Sequence, residues 1–133
     1  MAKVSRSELI RSAVVARSRS VAPYSKFRVG AALLTRSGVV ISGANVESAS
    51  YGLTCCAERV ALFKALTEGH KVFAAIAIVA RIKDGPMPCG ACRQLLAEYA
   101  PEASVWVADS RSLGKFRKFT VHELLPSAFV SVP

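Results

Sequence analysis

The sequence predicts an α/β fold of three layers, a five-stranded mixed sheet with helices on both faces. Three observations carry that expectation. VFAAIAIVA (72–80) is apolar without a break, as a strand buried on both sides must be. Helical and extended patterns follow the order α-β-β-α-β-α-β-β-α, so helix-bearing crossovers join strands that run in the same direction. The last two strands are separated by too few residues for a parallel return, which takes about a dozen, and are expected to be antiparallel.

Each element has its own signal. Ser5-Arg6-Ser7-Glu8 has the form of a capping box, and Leu9, Ile10, Ala13 and Val14 follow at helical spacing, giving a helix over 6–18. VAPYSKF (21–27) is a loop. Val29 to Leu34, a turn at Arg36-Ser37-Gly38, and Val39 to Ser42 form a hairpin. The stretch 43–54 is polar and irregular. A second helix begins near Cys56 and stops at Gly69, a favourable residue just past a helix end. After the 72–80 strand and the loop KDGPMP comes a third helix, from Gly90 to Tyr99, ended by Pro101. Ser104 to Ala108 and Lys115 to Phe119 are the last strands, and Thr120-Val121-His122-Glu123 opens a short helix ending at Pro126. No repeat or linker interrupts the pattern, so one domain is expected over 1–133.

Composition narrows the class. The chain is 52% hydrophobic and 20% charged, whereas about a quarter of residues are charged in ordinary soluble domains. No apolar run reaches the roughly 18 residues of a membrane span. MAKVSRSELIRS lacks the apolar core of a signal peptide, so a cytosolic (cytoplasmic) compartment is expected. The excess apolar surface points to a subunit interface and hence to a homo-oligomer. Net charge is +9, from 18 Lys and Arg against 9 Asp and Glu. The basic residues cluster at Arg6, Arg11, Arg17, Arg19 and Lys26, and again at Arg111, Lys115, Arg117 and Lys118. No regular aromatic interleaving accompanies them, which favours a solvated basic surface over a nucleic-acid site.

The chemistry lies in the cysteines. Cys89 and Cys92 stand three residues apart where a helix begins, and the helix N-terminus favours thiolate. A lone CxxC could be a redox pair. TCC (54–56) opens another helix and offers a third thiol for one ion. Three protein ligands and one open position form a catalytic zinc site, while a fourth cysteine would make a structural one. Cys55 is the candidate for that fourth place. It is disfavoured because neighbouring side chains at a helix entrance diverge. Cys56-Ala57-Glu58 followed by Pro88-Cys89-Gly90-Ala91-Cys92 matches the zinc-deaminase signature, with cysteine in the position often held by histidine. That signature makes Glu58 the general acid/base, since an activated water needs a nearby carboxylate to take its proton.

Four blocks, APYSKFRVGAALL (22–34), NVESASYGLTCCAERVALFKAL (45–66), PCGACRQLL (88–96) and ELLPSAF (123–129), resemble the small homotetrameric cytidine deaminases. The likeness runs over nearly the whole chain. The resemblance implies a cytidine-deaminase-like fold and one Zn2+ per subunit held by Cys56, Cys89 and Cys92. It also implies hydrolysis of cytidine and deoxycytidine to uridine and deoxyuridine with release of ammonia, as in pyrimidine salvage. It places Phe27 against the base, Asn45 and Glu47 on the ribose hydroxyls, and the Ala57 backbone on the pyrimidine edge. Ala49, Tyr51 and Phe129 would belong to walls shared between the subunits of a homotetramer. Three thiolates leave zinc with a formal charge of minus one. Family members with three cysteines use the arginine after the glutamate to offset it, here Arg59, with Gln94 orienting it.

His70 and His122 are expected away from the metal, Trp106 in core or interface, and Arg93 has no assigned role. Phe27 could be ordinary core, and Asn45 and Glu47 could shape a turn. The rival functions are a blasticidin-S-type aminoacyl-nucleoside deaminase, a polynucleotide cytosine deaminase, and a structural zinc module that would need Cys55 as a ligand.

Overall fold

The computed structural model describes residues 3–132; residues 1, 2 and 133 of the expected domain lie outside the described residues. Helix α1 (Arg6–Arg17) starts as its sequence requires, with the Glu8 N–H donating to Ser5 Oγ at 3.1 Å. Strands β1 (Val29–Thr35) and β2 (Val40–Ala44) form the hairpin, turned at Gly38 with φ of +98°. Helix α2 (Ala57–Thr67) stops where Gly69 turns left-handed at φ +95°. There Gly69 N–H donates to Leu66 O, and His70 N–H donates to Ala65 O, the paired bonds of a Schellman ending. Strand β3 (Phe73–Ala80), helix α3 (Gly90–Tyr99) and strand β4 (Ser104–Asp109) follow at the expected places.

Two stretches differ from expectation. Strand β5 is Arg117–Thr120, not 115–119. Asp109 and Arg111 close on each other at 2.8 Å, and successive turns through Ser112 and Lys115 use up the residues before it. The polar stretch 43–54 is not wholly irregular, because Tyr51–Leu53 form one turn of 3-10 helix. Helix α4 (Val121–Leu124) carries a complete capping box between Thr120 and Glu123.

The sheet has the order β2-β1-β3-β4-β5. Strand β1 is antiparallel to both β2 and β3, β3 and β4 are parallel, and β4 and β5 are antiparallel. Alternate residues of each strand face opposite layers. Ala32, Ala75, Ala77, Val79 and Ala108 pack with Leu9, Ile10 and Ala13 of α1. Ala31, Leu33, Ile76, Ile78, Val105 and Val107 pack with Ala57, Ala61, Leu62 and Leu96 of α2 and α3. That is the three-layer arrangement read from the sequence. Trp106 lies half-buried beside the α1 layer, edge-on to Phe116.

Strand direction decides where the two helices begin. Both β2 and β3 run antiparallel to β1, so both end at the same edge of the sheet. The chain enters α2 after β2 and α3 after β3, and both helices belong to the same layer. Their N-termini therefore open side by side, where ligands bind in α/β sheets. Gly43 lets α2 come close: a Cβ there would lie 2.6 Å from Ala61 N and 2.8 Å from Ala57 O. Gly43→Ala should therefore cost about 1–3 kcal/mol by overpacking and push the α2 entrance away from the sheet. Denaturant unfolding checks this, with Gly114→Ala as control, since a Cβ at Gly114 meets nothing within 4 Å.

Candidate active site and metal centre

The two adjacent helix entrances are both cysteines. Cys56 is the N-cap of α2 (φ −70°, ψ 153°) and Cys89 the N-cap of α3 (φ −69°, ψ 171°), and neither thiol caps its own helix. Both sulfurs are thus left beside a positive helix end. Cys92 enters from the first turn of α3 and is buried. Cys56 Sγ and Cys89 Sγ are 3.7 Å apart, Cys89 Sγ and Cys92 Sγ are 3.5 Å apart, and all three lie within 4.8 Å of one another. A tetrahedral zinc with sulfur at roughly 2.3 Å needs sulfur–sulfur edges of about 3.8 Å. Distances and donor chemistry both fit one Zn2+.

The charges of this cluster are unequal. The neighbouring Cys92 thiol and the Arg59 guanidinium bring Cys56 down to about 5 despite burial. Cys92 is pushed well above the ordinary thiol range by its bond with Cys56, by burial and by Glu58. Of this pair Cys56 is the thiolate, and a bound cation is what would draw the proton off Cys92. Arg59 Nη2 donates to Cys56 Sγ at 3.4 Å, and the thiolate holds this guanidinium firmly charged. Arg59 Nε is buried without a hydrogen-bond partner among the described residues.

Cys55 and Cys56 both line the cavity that Glu58 lines, but only Cys56 joins the three-sulfur cluster. Cys55 pairs with Val46 through two backbone hydrogen bonds of 2.9 and 3.0 Å, an extended bridge in which successive side chains alternate. Burial pushes its thiol up, and it is outside the three-sulfur cluster. His70 and His122 are also outside it.

Glu58 occupies the first turn of α2, next to Cys56, and is 6% exposed. Burial, reinforced by the negative charge at Cys56, pushes its carboxyl up to about 7. Glu58, Cys56 and Cys89 line one cavity of about 200 Å³ together with Phe27, Asn45 and Ala57. Pro86 and Met87 line it too. The sequence reading missed them, although their position just before Cys89 was a signal. Lys26 stands at φ +61°, a left-handed conformation costing ~1–2 kcal/mol outside glycine. It sits immediately before Phe27 in the turn that leads to this wall.

The polar residues expected to meet a sugar also build the wall. Asn45 Nδ2 donates to Phe27 O at 2.9 Å, and Asn45 Oδ1 accepts from Val29 N at 2.9 Å and from Ser20 Oγ. Glu47 accepts from Ser25 Oγ and from the N–H groups of Ser25 and Tyr24, bonds that hold its carboxyl below the usual range. Glu47, Ala49, Tyr51 and Phe129 do not line the cavity of a single chain, and Tyr51 and Phe129 are 88% and 71% exposed. Gln94 requires a correction. It does not bond Arg59; its Nε2 donates to Phe129 O at 3.0 Å and to Glu98 Oε1 at 3.3 Å. Its place on α3 turns the amide toward the C-terminal segment.

Known proteins resemble this chain in sequence and in fold. Residues 3–108 match the profile of the cytidine and deoxycytidylate deaminase zinc-binding region. A cytidine deaminase of Halalkalibacterium halodurans is 52% identical over 127 residues, 95% of each chain. The crystal structure of cytidine deaminase from Burkholderia pseudomallei superposes with a TM-score of 0.90 at 47% identity, covering 94% of this chain and 99% of the other. A blasticidin-S deaminase of Bacillus cereus is more distant, 35% identical over 109 residues and 76% of each chain.

The division between the paired cysteines is directly measurable. Cys55→Ala should retain one zinc per chain by elemental analysis, and Cys56→Ala should lose it on dialysis against a mild chelator.

Proposed function

The chain belongs to the cytidine and deoxycytidylate deaminase family, and we propose that it hydrolyses cytidine and deoxycytidine to uridine and deoxyuridine with release of ammonia. The observation that carries the proposal is the buried Glu58 carboxyl in one cavity with Cys56 and Cys89, two of the three convergent sulfurs. A proton shuttle works best with a pKa near the operating pH.

Cys56, Cys89 and Cys92 would hold the zinc, and the chemistry a bound Zn2+ supplies is the acidification of water to a nucleophile at neutral pH. The chain's own residues do the rest. Glu58 takes one proton from water and gives it to N3 of the base as the oxygen bonds to C4, then takes the second proton from the new C4 hydroxyl and delivers it to the departing amine as the C4–N bond breaks. Water is consumed and ammonia leaves, so the protons balance. Ala57 offers its backbone to the pyrimidine edge at the start of α2. Phe27 lies along the base, which explains why a strained Lys26 is kept beside it. Asn45 and Glu47 hold the sugar hydroxyls with the capacity the wall leaves free: the second N–H of Asn45 Nδ2 and remaining lone pairs of Glu47. Arg59 offsets the excess negative charge of three thiolates, which otherwise would make water harder to deprotonate.

The same reading places the protein in pyrimidine salvage in the cytoplasm, as a homotetramer. No helix among the described residues is long and apolar enough to cross a membrane. Tyr51, Leu53 and Phe129 are exposed apolar side chains in one chain, and the proposal has neighbouring subunits cover them, so that Ala49, Tyr51 and Phe129 complete adjoining sites. Gln94, bonded to Phe129 O, would set the last of these.

The test is loss of cytidine absorbance on mixing with protein, run beside deoxycytidine, blasticidin S and single-stranded oligonucleotide. Free nucleosides should be turned over fastest. Comparable rates on blasticidin S or oligonucleotide would move the substrate assignment to those rivals. Glu58→Gln should keep its zinc and lose turnover by roughly 100- to 10,000-fold. Arg59→Ala should lower turnover and weaken zinc about tenfold or more, read by chelator competition.

A further inference from the structure

Of the three sulfurs, Cys89 is the least enclosed. Cys92 is buried within α3, and Cys56 receives the Arg59 guanidinium. Cys89 is exposed, at a helix entrance, with exposed Met87 and Gly90 on either side of the Pro88–Cys89 pair. A side chain with no role in the proposed reaction accounts for its placement.

Arg93 lies one helical turn beyond Cys89, and its backbone N–H donates to Cys89 O at 2.9 Å. Long side chains on a helix lean back toward its N-terminus. Arg93 does so, and its Nε donates to Pro88 O at 2.8 Å. Pro88 is fully buried and has no N–H, so that carbonyl is its one polar backbone group. Fixing it fixes the planar Pro88–Cys89 peptide, and with it the direction in which the Cys89 side chain leaves the backbone. The other arm of the guanidinium, Nη1, donates to Leu124 O at 3.0 Å, at the end of α4. A planar fork presents donors to both carbonyls from separate nitrogens in one fixed geometry; an ammonium is a single point on a flexible stem.

We propose that Arg93 is a positioning residue for the metal centre: it aims Cys89 at the ion and registers the end of α4 against the loop that carries this ligand. The inference rests on the zinc assignment above. The competing account is that Arg93 only fastens α3 to α4, as any buried contact would.

Two variants separate these accounts. Arg93→Lys keeps the charge and most of the stem but loses the rigid fork that reaches Pro88 O and Leu124 O from two separate nitrogens. Leu124→Ala weakens the packing of α4, since Leu124 is buried, and leaves the Pro88 bond in place. Purified holoenzymes are titrated with a competing chelator, their melting temperatures are recorded, and the thiolate-to-metal charge-transfer band is read after exchange to Co2+. Arg93→Lys should bind zinc about 10- to 100-fold more weakly and shift the band. Leu124→Ala should melt lower yet hold zinc within about twofold of wild type. Unchanged zinc affinity and an unchanged band in Arg93→Lys would overturn the proposal. So would a loss of zinc in Leu124→Ala as large as that in Arg93→Lys. Wild-type protein without zinc affinity would remove the metal assignment and the role of Arg93 with it, an outcome the wild-type titration alone reveals.

Discussion

Two helices that begin beside each other set the terms for everything else in this protein. Each backbone entrance is a concentration of partial positive charge, and each is occupied by a cysteine that makes no cap of its own. Three sulfurs within 4.8 Å are unfavourable as three thiolates and favourable around a divalent cation. The sheet enforces this meeting through the shared direction of β2 and β3, and Gly43 permits it by letting α2 lie against β2. Arg59 then answers the charge that the ion leaves uncancelled.

The carboxyl beside the sulfurs follows from the same arrangement. Glu58 is in the first turn of α2, where a helix end ordinarily favours an ionised acid, yet burial dominates and its proton is held to about 7. The opposite wall is assembled from polar bonds: Asn45 and Glu47 fold the 20–29 segment so that Phe27 reaches the cavity. A residue that builds a wall and one that touches a ligand are not exclusive, since each side chain here has bonding capacity to spare.

Much of this was legible in the sequence. The apolar run at 72–80, the two capping boxes and the spacing of CAE and PCxxC pointed to the sheet, the helix starts and the three sulfurs. That Cys56 and not Cys55 joins the sulfur cluster was legible too, because neighbouring side chains at a helix entrance diverge. What could not be read depended on long-range geometry. Gln94 bonds Phe129 O rather than Arg59, a contact 35 residues away. The start of β5 shifted because Asp109 and Arg111 close a turn no strand pattern announces. The stacking of Arg6 on Trp106 and Phe116, and of Lys118 on Trp106, was likewise beyond local pattern, since it joins α1 to the last strands.

The central claim is that three sulfurs hold one zinc and leave a position for chemistry, and X-ray absorption at the zinc edge addresses it most directly. The account predicts a first shell of three sulfurs at about 2.3 Å and one lighter neighbour. Four sulfurs would bring Cys55 into the shell and make the site structural. Either that spectrum or purified protein lacking zinc altogether would contradict the account.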